Sequence, residues 1–243
     1  MIKLIEFFNI KFHNYEFNEI QSKFNKKCLI CAPSGPGLSE LKNDIKYKNA
    51  LINSVVNIRD SGIFVILLKL VKIKVNKYSG YLFLKDILHY MVNNNIKNYL
   101  FIDPSHEESE KNKDYMRNFI PSTNKAYIAP FYKKNIEDYE LLHFIKQKKP
   151  RIIVINLGGG IQERLGDFIK KNIDYSAIIV CTGAAVSFLT KSQAPINNFV
   201  DRYFMGWLWR CFYNPKVFIP RYAKALKFIF LFLCNKKTIK IIN

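Results

Sequence analysis

Acidic residues are scarce in this chain of 243 residues, where 19 Asp and Glu stand against 38 Lys and Arg for a net charge of +19. An imbalance of that size predicts a polyanionic partner: nucleic acid, an anionic membrane surface or a phosphorylated substrate. An Asn-, Lys- and Ile-rich composition also arises from an AT-rich genome, so the placement of the charge, rather than its sum, has to choose among these. Cysteine is sparse and odd in number. Cys28, Cys31, Cys181, Cys211 and Cys234 are scattered, and MIKLIEFFNIKF is too polar for a secretory signal and lacks a small-residue cleavage site, which excludes a disulfide framework and implies a reducing compartment. Cys28 and Cys31 form a CxxC, but no second CxxC or His pair completes a zinc site, and buried thiols are expected. His13, His89, His106 and His143 are isolated, with no HExxH pairing, so no metal or other cofactor is expected. The chain also lacks an internal repeat, a low-complexity linker and an apolar run near the roughly 20 residues of a membrane span. What remains is a globular protein, 49% hydrophobic, able to bury a sizeable core.

The stretch with most information is Arg151–Leu165, RIIVINLGGGIQERL. Ile152 to Leu157 is a short run of mostly β-branched apolar residues cut off by Gly158, Gly159 and Gly160, the pattern of a strand buried on both faces of a parallel sheet. The glycines let the backbone turn sharply and approach a ligand, while Gln162 and Glu163 fall in the first turn of the next helix, whose free N–H groups favour an anion. Strand, glycine loop and helix also occur as a plain tight connection, and both readings stand at this level.

Strands and helices alternate along the rest of the chain. Strands are expected at Cys28–Ala32, Ser54–Ile58, Asn98–Ile102, Lys125–Ala129 and Ala177–Cys181. Helices are expected at Leu38–Ala50, Ile63–Val75, Phe83–Asn93, Glu107–Asn118 and Ile136–Lys148. This order predicts an α/β protein, a mostly parallel sheet with helices on both faces. Asp60 lies where the second of these strands ends, the edge at which open α/β sheets bind ligands. It is a candidate base there, and equally a candidate cap for the helix that begins at Ile63.

The C-terminal part differs. From Asp201 onward Arg202, Arg210, Lys216, Arg221, Lys224, Lys227, Lys236, Lys237 and Lys240 face one acid, Asp201, and aromatics such as Trp207, Trp209, Phe212 and Tyr222 are interleaved. Phe228–Cys234 is apolar and too short to cross a bilayer, but it can lie in a membrane interface. The alternative is a basic amphipathic helix covering a core edge. Two parts are therefore expected: a core at 1–200 and a basic, aromatic, membrane-associating helical appendage at 201–243, whose removal from Leu226 onward leaves the core folded.

Several motifs together resemble the WecG/TagA/CpsF glycosyltransferases. They are LGGGIQERLG, a glycine loop followed by Gln-Glu; CTGAAVSFL, a Gly-Ala turn; APINNF with MGWLWRCFYNPKVFIPRY, an Ala-Pro and a Trp-Leu-aromatic-Arg block closing on Arg-Tyr; IRDSGIFV around Asp60; and VNKYSGYLFL after it. The likeness covers most of the chain. It departs at Ala32, Pro33 and Ser34, where the family carries Thr-x-Asn, at Ser61 for Gly, at Lys77 for Arg, at Ser187 for an acid and at Gln193 for Arg. Lys keeps the charge of Arg but not its bidentate geometry, and Ser187 cannot accept as an aspartate does.

The resemblance implies a Rossmann-like fold and a glycosyltransferase of bacterial surface polysaccharide synthesis. The sugar, N-acetylmannosamine or a related hexose, would pass from a UDP-sugar to a polyprenyl-diphosphate-linked acceptor, with inversion and without a metal. Asp60 would be the catalytic base. Ser34, Lys77, Gly158, Gly159, Gly160, Gln162 and Ser187 would bind the donor, and Arg210 and Arg221 would stabilise the leaving diphosphate. The expected place is the cytoplasmic face of the inner membrane, bound peripherally with no signal peptide or transmembrane helix, and a homo-oligomer is compatible with it. Two other classes stand beside this reading: a catalytically degenerate relative acting as a membrane-bound partner subunit, and a nucleic-acid-binding protein, although no nucleic-acid partner is expected because the mixed basic and aromatic face lies only at the end that the family gives to the membrane.

Overall fold

A computed structural model describes residues 2–121, 126–133, 136–190, 211–212 and 215–242, without the side chains of 217, 218, 221 and 222. Within them β1 (Leu4–Phe7) and β2 (Ile10–His13) form an antiparallel hairpin, with Phe8 and Asn9 both at positive φ, the backbone a two-residue hairpin turn requires. Next come α1 (Phe17–Gln21), β3 (Cys28–Cys31), α2 (Gly35–Leu38), α3 (Ile45–Asn53), β4 (Val56–Asn57), α4 (Gly62–Leu70) and α5 (Gly80–Asn93). Then follow β5 (Tyr99–Asp103), α6 (His106–Arg117), β6 (Tyr127–Ile128), α7 (Tyr139–Lys148), β7 (Ile152–Ile155), α8 (Ile161–Asn172), β8 (Ile178–Cys181) and α9 (Ala185–Leu189). The last elements are α10 (Pro215–Asn235) and β9 (Lys240–Ile242).

The strands make one nine-stranded sheet in the order β6-β5-β7-β8-β3-β4-β2-β1-β9, parallel from β6 to β2, with β1 antiparallel to both of its neighbours. The expected mostly parallel α/β architecture is therefore what the chain adopts. Strand residues alternate between two apolar layers. Leu29, Cys31, Ile153, Ile155, Ile179 and Cys181 face the layer shared with α3, α4, α7, α8 and α10, while Cys28, Ile30, Ile152, Val154, Ile178 and Val180 face that shared with α1, α5, α6 and α9. Cys28, Cys31 and Cys181 are free, buried thiols.

Several boundaries differ from expectation for local reasons. The helix expected at Leu38–Ala50 is two helices, because Asp44 caps α3 by accepting from the Tyr47 N–H at 2.8 Å. α2 starts inside PSGPG, with Pro36 in the first turn, where a missing N–H costs nothing. The helix expected to reach Val75 stops at Leu70, as Lys72 takes φ 62°. The C-terminal segment is helical as expected, but its described part is stitched into the core rather than hung from it. Ala225, Phe228 and Phe232 are fully buried, and β9 pairs with β1 over Leu4–Glu6. No helix among the described residues is long and apolar enough to cross a membrane.

Candidate active site

The chain leaves β3 to form β4 on one side of it and returns through β8 on the other, so the ends of β7, β8, β3 and β4 form one continuous carboxyl edge. In sheets of this kind ligands bind outside that edge, at the strand where the winding changes direction.

Asp60 follows the end of β4. Its helix-cap alternative is resolved in an unexpected way, since Ser61, and not Asp60, caps α4 by accepting from the Phe64 N–H at 3.2 Å. Asp60 Oδ1 instead accepts from the Gly80 N–H at 2.8 Å, at the first residue of α5. Gly80 is pressed into the sheet edge: a Cβ there would stand 3.1 Å from Ala32 Cβ and 3.3 Å from both Thr182 Cβ and the Thr182 carbonyl oxygen, tighter than most side-chain contacts, so these neighbours would have to give. The half-buried Asp60 is thus tied, through Gly80, to the ends of both β3 and β8.

Arg59 fixes the same region from the other side. Its buried guanidinium donates through Nε to the His13 carbonyl at 2.9 Å and through Nη1 to the Asn76 carbonyl, while its own carbonyl accepts from Tyr78 N–H. Burial lowers its pKa to about 10, which leaves it protonated at neutral pH. Lys77 lies in this clasped loop, half-buried.

The glycine loop opens on the other side. Gly160 has φ 89°, a backbone that disfavours any side chain. Among the described residues, a Cβ on Gly158 would meet nothing within 4 Å, and one on Gly159 only Ser34 Oγ at 3.8 Å. Packing among the described residues therefore does not require glycine at 158 or 159, and none of those residues fills the space above them. Ser34 makes no side-chain cap bond to α2.

Gln162 and Glu163 are buried and knit the loop from below. Glu163 Oε2 accepts from Gly160 N–H at 2.6 Å and Oε1 from Gln162 Nε2 at 3.1 Å, while Gln162 Oε1 accepts from Gly183 N–H at 2.7 Å. Gln162 thereby cross-links the two glycine turns, after β7 and after β8. Burial pushes the Glu163 carboxyl up to about 7, against the pull of the hydrogen bonds it accepts. The Gly160-x-x-Glu163 spacing is the sequence signal that marks this cap.

Farther along the edge, Asp103 at the end of β5 is fully buried and accepts from Asn156 Nδ2 at 2.6 Å and Asn112 Nδ2 at 2.9 Å, with burial raising its pKa. Asp103 Oδ2, Asn156 Oδ1 and Thr182 Oγ1 are buried without a hydrogen-bond partner among the described residues. Sequence reasoning did not single out Asp103, Asn112 or Asn156, because carboxamides spread over three elements form no motif.

The structure thus gathers Asp60, Ser34, Gly158, Gly159, Gly160 and Gln162 along one edge. Ser187 faces elsewhere: it is buried on α9 and its hydroxyl donates to Glu108 Oε2 on α6 at 3.3 Å. Arg210 lies outside the described residues, as do Gln193, the Ala-Pro segment and the Trp-Leu-Trp-Arg block, and the Arg221 side chain is likewise outside them. Among the described residues no three His, Cys, Asp or Glu side chains converge as a metal site.

Residues 5–241 match the model of the glycosyl transferase WecG/TagA/CpsF family, nearly the whole chain, and the chain belongs to that family. No curated protein matches it significantly.

Proposed function

From this family membership we propose that the chain transfers a sugar, of the N-acetylmannosamine type or a related hexose, from a UDP-sugar to a polyprenyl-diphosphate-linked acceptor in the synthesis of a bacterial surface polysaccharide such as capsule, O-antigen or a teichoic acid-like polymer. The observation that carries the reading is the pairing on one sheet edge of a braced carboxylate, Asp60 on Gly80 N–H, with a glycine loop whose Gly158 and Gly159 border space that no described residue fills.

Asp60 takes the proton of the acceptor hydroxyl as it attacks the anomeric carbon from the face opposite the diphosphate, so the configuration inverts. The leaving diphosphate gathers charge as the bond breaks. The backbone N–H groups of Gly158 and Gly159 and the positive end of the α8 dipole stabilise that charge without a metal, aided by Arg210 and Arg221, while the N–H groups of Gly160, Ile161 and Gln162 are bonded within the loop itself. Gln162 serves the donor by holding the two glycine turns in register. Ser34 faces the loop and Lys77 flanks the Asp60 end, while Ser187, turned to Glu108, takes no direct part.

The acceptor is a lipid, which sets the location: the cytoplasmic face of the inner membrane, bound peripherally through the basic C-terminal segment. A homo-oligomer is compatible with this.

A second reading, a degenerate relative serving as a membrane-bound partner, is favoured by Ser187, whose hydroxyl is spent on Glu108. One experiment separates the two: purified full-length protein, a panel of UDP-sugars and a synthetic polyprenyl-diphosphate sugar, with product mass as the readout. A new mass larger by one residue of the donor's sugar supports the transferase. No transfer and no donor hydrolysis with any donor would leave the partner role.

A further inference from the structure

Two acid-free, lysine-bearing apolar stretches far apart in sequence lie side by side in the fold. One is 62–77, GIFVILLKLVKIKVNK, which includes α4; the other is 215–242, which includes α10. Phe64 of α4 packs against Phe228 and Phe232 of α10, with ring centroids 5.8 and 6.2 Å apart. Those rings point inward, to the sheet. On the opposite side of α4, one turn apart, Ile66 is 45% and Leu70 73% exposed; on the opposite side of α10, Leu226 is 64%, Phe230 72% and Leu233 50% exposed. Lys69, Lys72 and Lys74 border the first set and Lys224, Lys227, Lys236 and Lys237 the second, all exposed.

We propose that α4 and α10 together form one membrane-docking face, in which Ile66 and Leu70 enter the lipid interface beside Leu226, Phe230 and Leu233 while the lysines take the anionic headgroups. Exposed apolar side chains ringed by cations, with no acid in either stretch, are complementary to an anionic bilayer, which offers both an apolar interior and a negative surface. A protein partner would have to match the same charge with a dense acidic rim around an apolar centre.

The placement bears on the acceptor. α4 begins two residues after Asp60, and Gly35, in the turn after β3, is wedged between the two helices: a Cβ on it would stand 3.3 Å from Ser61 Oγ, 3.6 Å from Ala225 Cβ and 3.8 Å from Ile63 Cδ1. Since Gly35 is the first residue of α2, which follows β3, the docking face abuts the Asp60 end of the sheet edge, and a lipid-linked sugar held in the bilayer surface meets that end first. This inference rests on the proposed lipid-linked acceptor and adds to it a second helix and an orientation.

The test is sedimentation of the full chain with vesicles of phosphatidylglycerol and phosphatidylcholine, and of phosphatidylcholine alone, at low and high salt. Ile66→Glu with Leu70→Glu should weaken binding about tenfold or more, equivalent to about 1.4 kcal/mol, comparably to Phe230→Glu. Lys69→Gln, Lys72→Gln and Lys74→Gln together should weaken it at low salt only. Phe131→Glu, at another exposed aromatic, should change nothing. Donor binding by titration calorimetry should be the same in all variants, which also reports that each is folded. Unchanged vesicle binding in the α4 variants alongside loss in Phe230→Glu overturns the two-helix face and leaves the proposed function standing. Failure of the unaltered chain to bind vesicles overturns the docking face and the peripheral location, while transfer stands or falls on product mass. A change of oligomeric state, or loss of RNA binding, in the α4 variants with vesicle binding intact would give the face to a second copy or to nucleic acid, and overturns the proposal too.

Discussion

The Asp60 carboxylate accepts a hydrogen bond from the Gly80 N–H at 2.8 Å, so a candidate base just after β4 also holds the first N–H of a helix other than the one it precedes. The two roles separate by substitution. Asp60→Asn keeps an acceptor oxygen for Gly80 and should leave thermal stability nearly unchanged while transfer falls by about 10²–10⁴. Asp60→Ala should lose the same activity and also about 1 kcal/mol of stability. Thermal unfolding beside initial rates reads both, and an Asn variant with more than half the original turnover removes Asp60 from the chemistry.

Gly159 and Gly160 should respond in opposite ways to alanine. At Gly159 the new methyl sits at ordinary contact distance from Ser34 Oγ, so the melting temperature should hold while UDP-sugar affinity drops. At Gly160, with φ 89°, alanine should cost about 1–2 kcal/mol of stability. Donor affinity that survives Gly159→Ala in calorimetry would make this loop a plain connection.

Gln162→Ala should do both kinds of damage. It strips the Gly183 N–H of its acceptor and uncouples the two glycine turns, at a cost of about 1–3 kcal/mol, with weaker donor binding as the functional consequence. Unfolding by urea and donor titration would read the two effects, and intact donor affinity in a destabilised variant would restrict Gln162 to a structural role.

Glu163 predicts a pH dependence of stability. Its native pKa is raised to about 7 from 4.5, so between those values the native state holds a proton that the unfolded chain has released. Stability from this group is therefore present below about pH 4.5, is lost as pH rises to about 7 and is level above, with a span of about 3 kcal/mol at roughly 1.4 per unit. Glu163→Gln keeps an acceptor for Gly160 N–H and should flatten that decline. Urea unfolding of both proteins from pH 5 to 8 checks it, and parallel profiles would contradict the assignment.

The sheet was legible because its central strands, such as Cys28–Cys31 and Ile152–Ile155, are short apolar runs stopped by turn residues, and the loop was legible because three glycines follow one of them. Asp60 could be placed at a strand end, but its partner Gly80 lies 20 residues on, and no local pattern announces a cap given to another element. The sequence resemblance assigns Gln162 to donor binding, but no local pattern says that its Oε1 lies 2.7 Å from the Gly183 N–H. The Asp103–Asn156–Asn112 cluster depends on β5, α6 and β7 meeting, which is a tertiary fact. The same holds for α4 and α10: each is apolar and basic by itself, and only packing makes one face of them.

That packing reverses the expectation that the chain from Leu226 onward is dispensable for folding. α10 has two sides with different work. Phe228 and Phe232 are fully buried against Phe7 and Phe64, with ring centroids 5.5–6.4 Å apart, and β9 behind them extends the sheet at β1. Truncating one such Phe to Ala costs about 3–5 kcal/mol, a large part of the roughly 5–15 kcal/mol that holds a domain together. Deleting Leu226–Asn243 removes both rings and a strand, leaving β1 as a bare edge prone to pair with other chains. The truncated protein should therefore aggregate or unfold, and Phe228→Ala alone should lose stability in the same range. Phe230→Ser, on the outward side, should stay within about 0.5 kcal/mol of the parent. Thermal unfolding with sedimentation velocity on the three proteins decides the matter: a truncated chain that is monomeric and melts like the parent would make the buried face of α10 dispensable and return the segment to a detachable appendage.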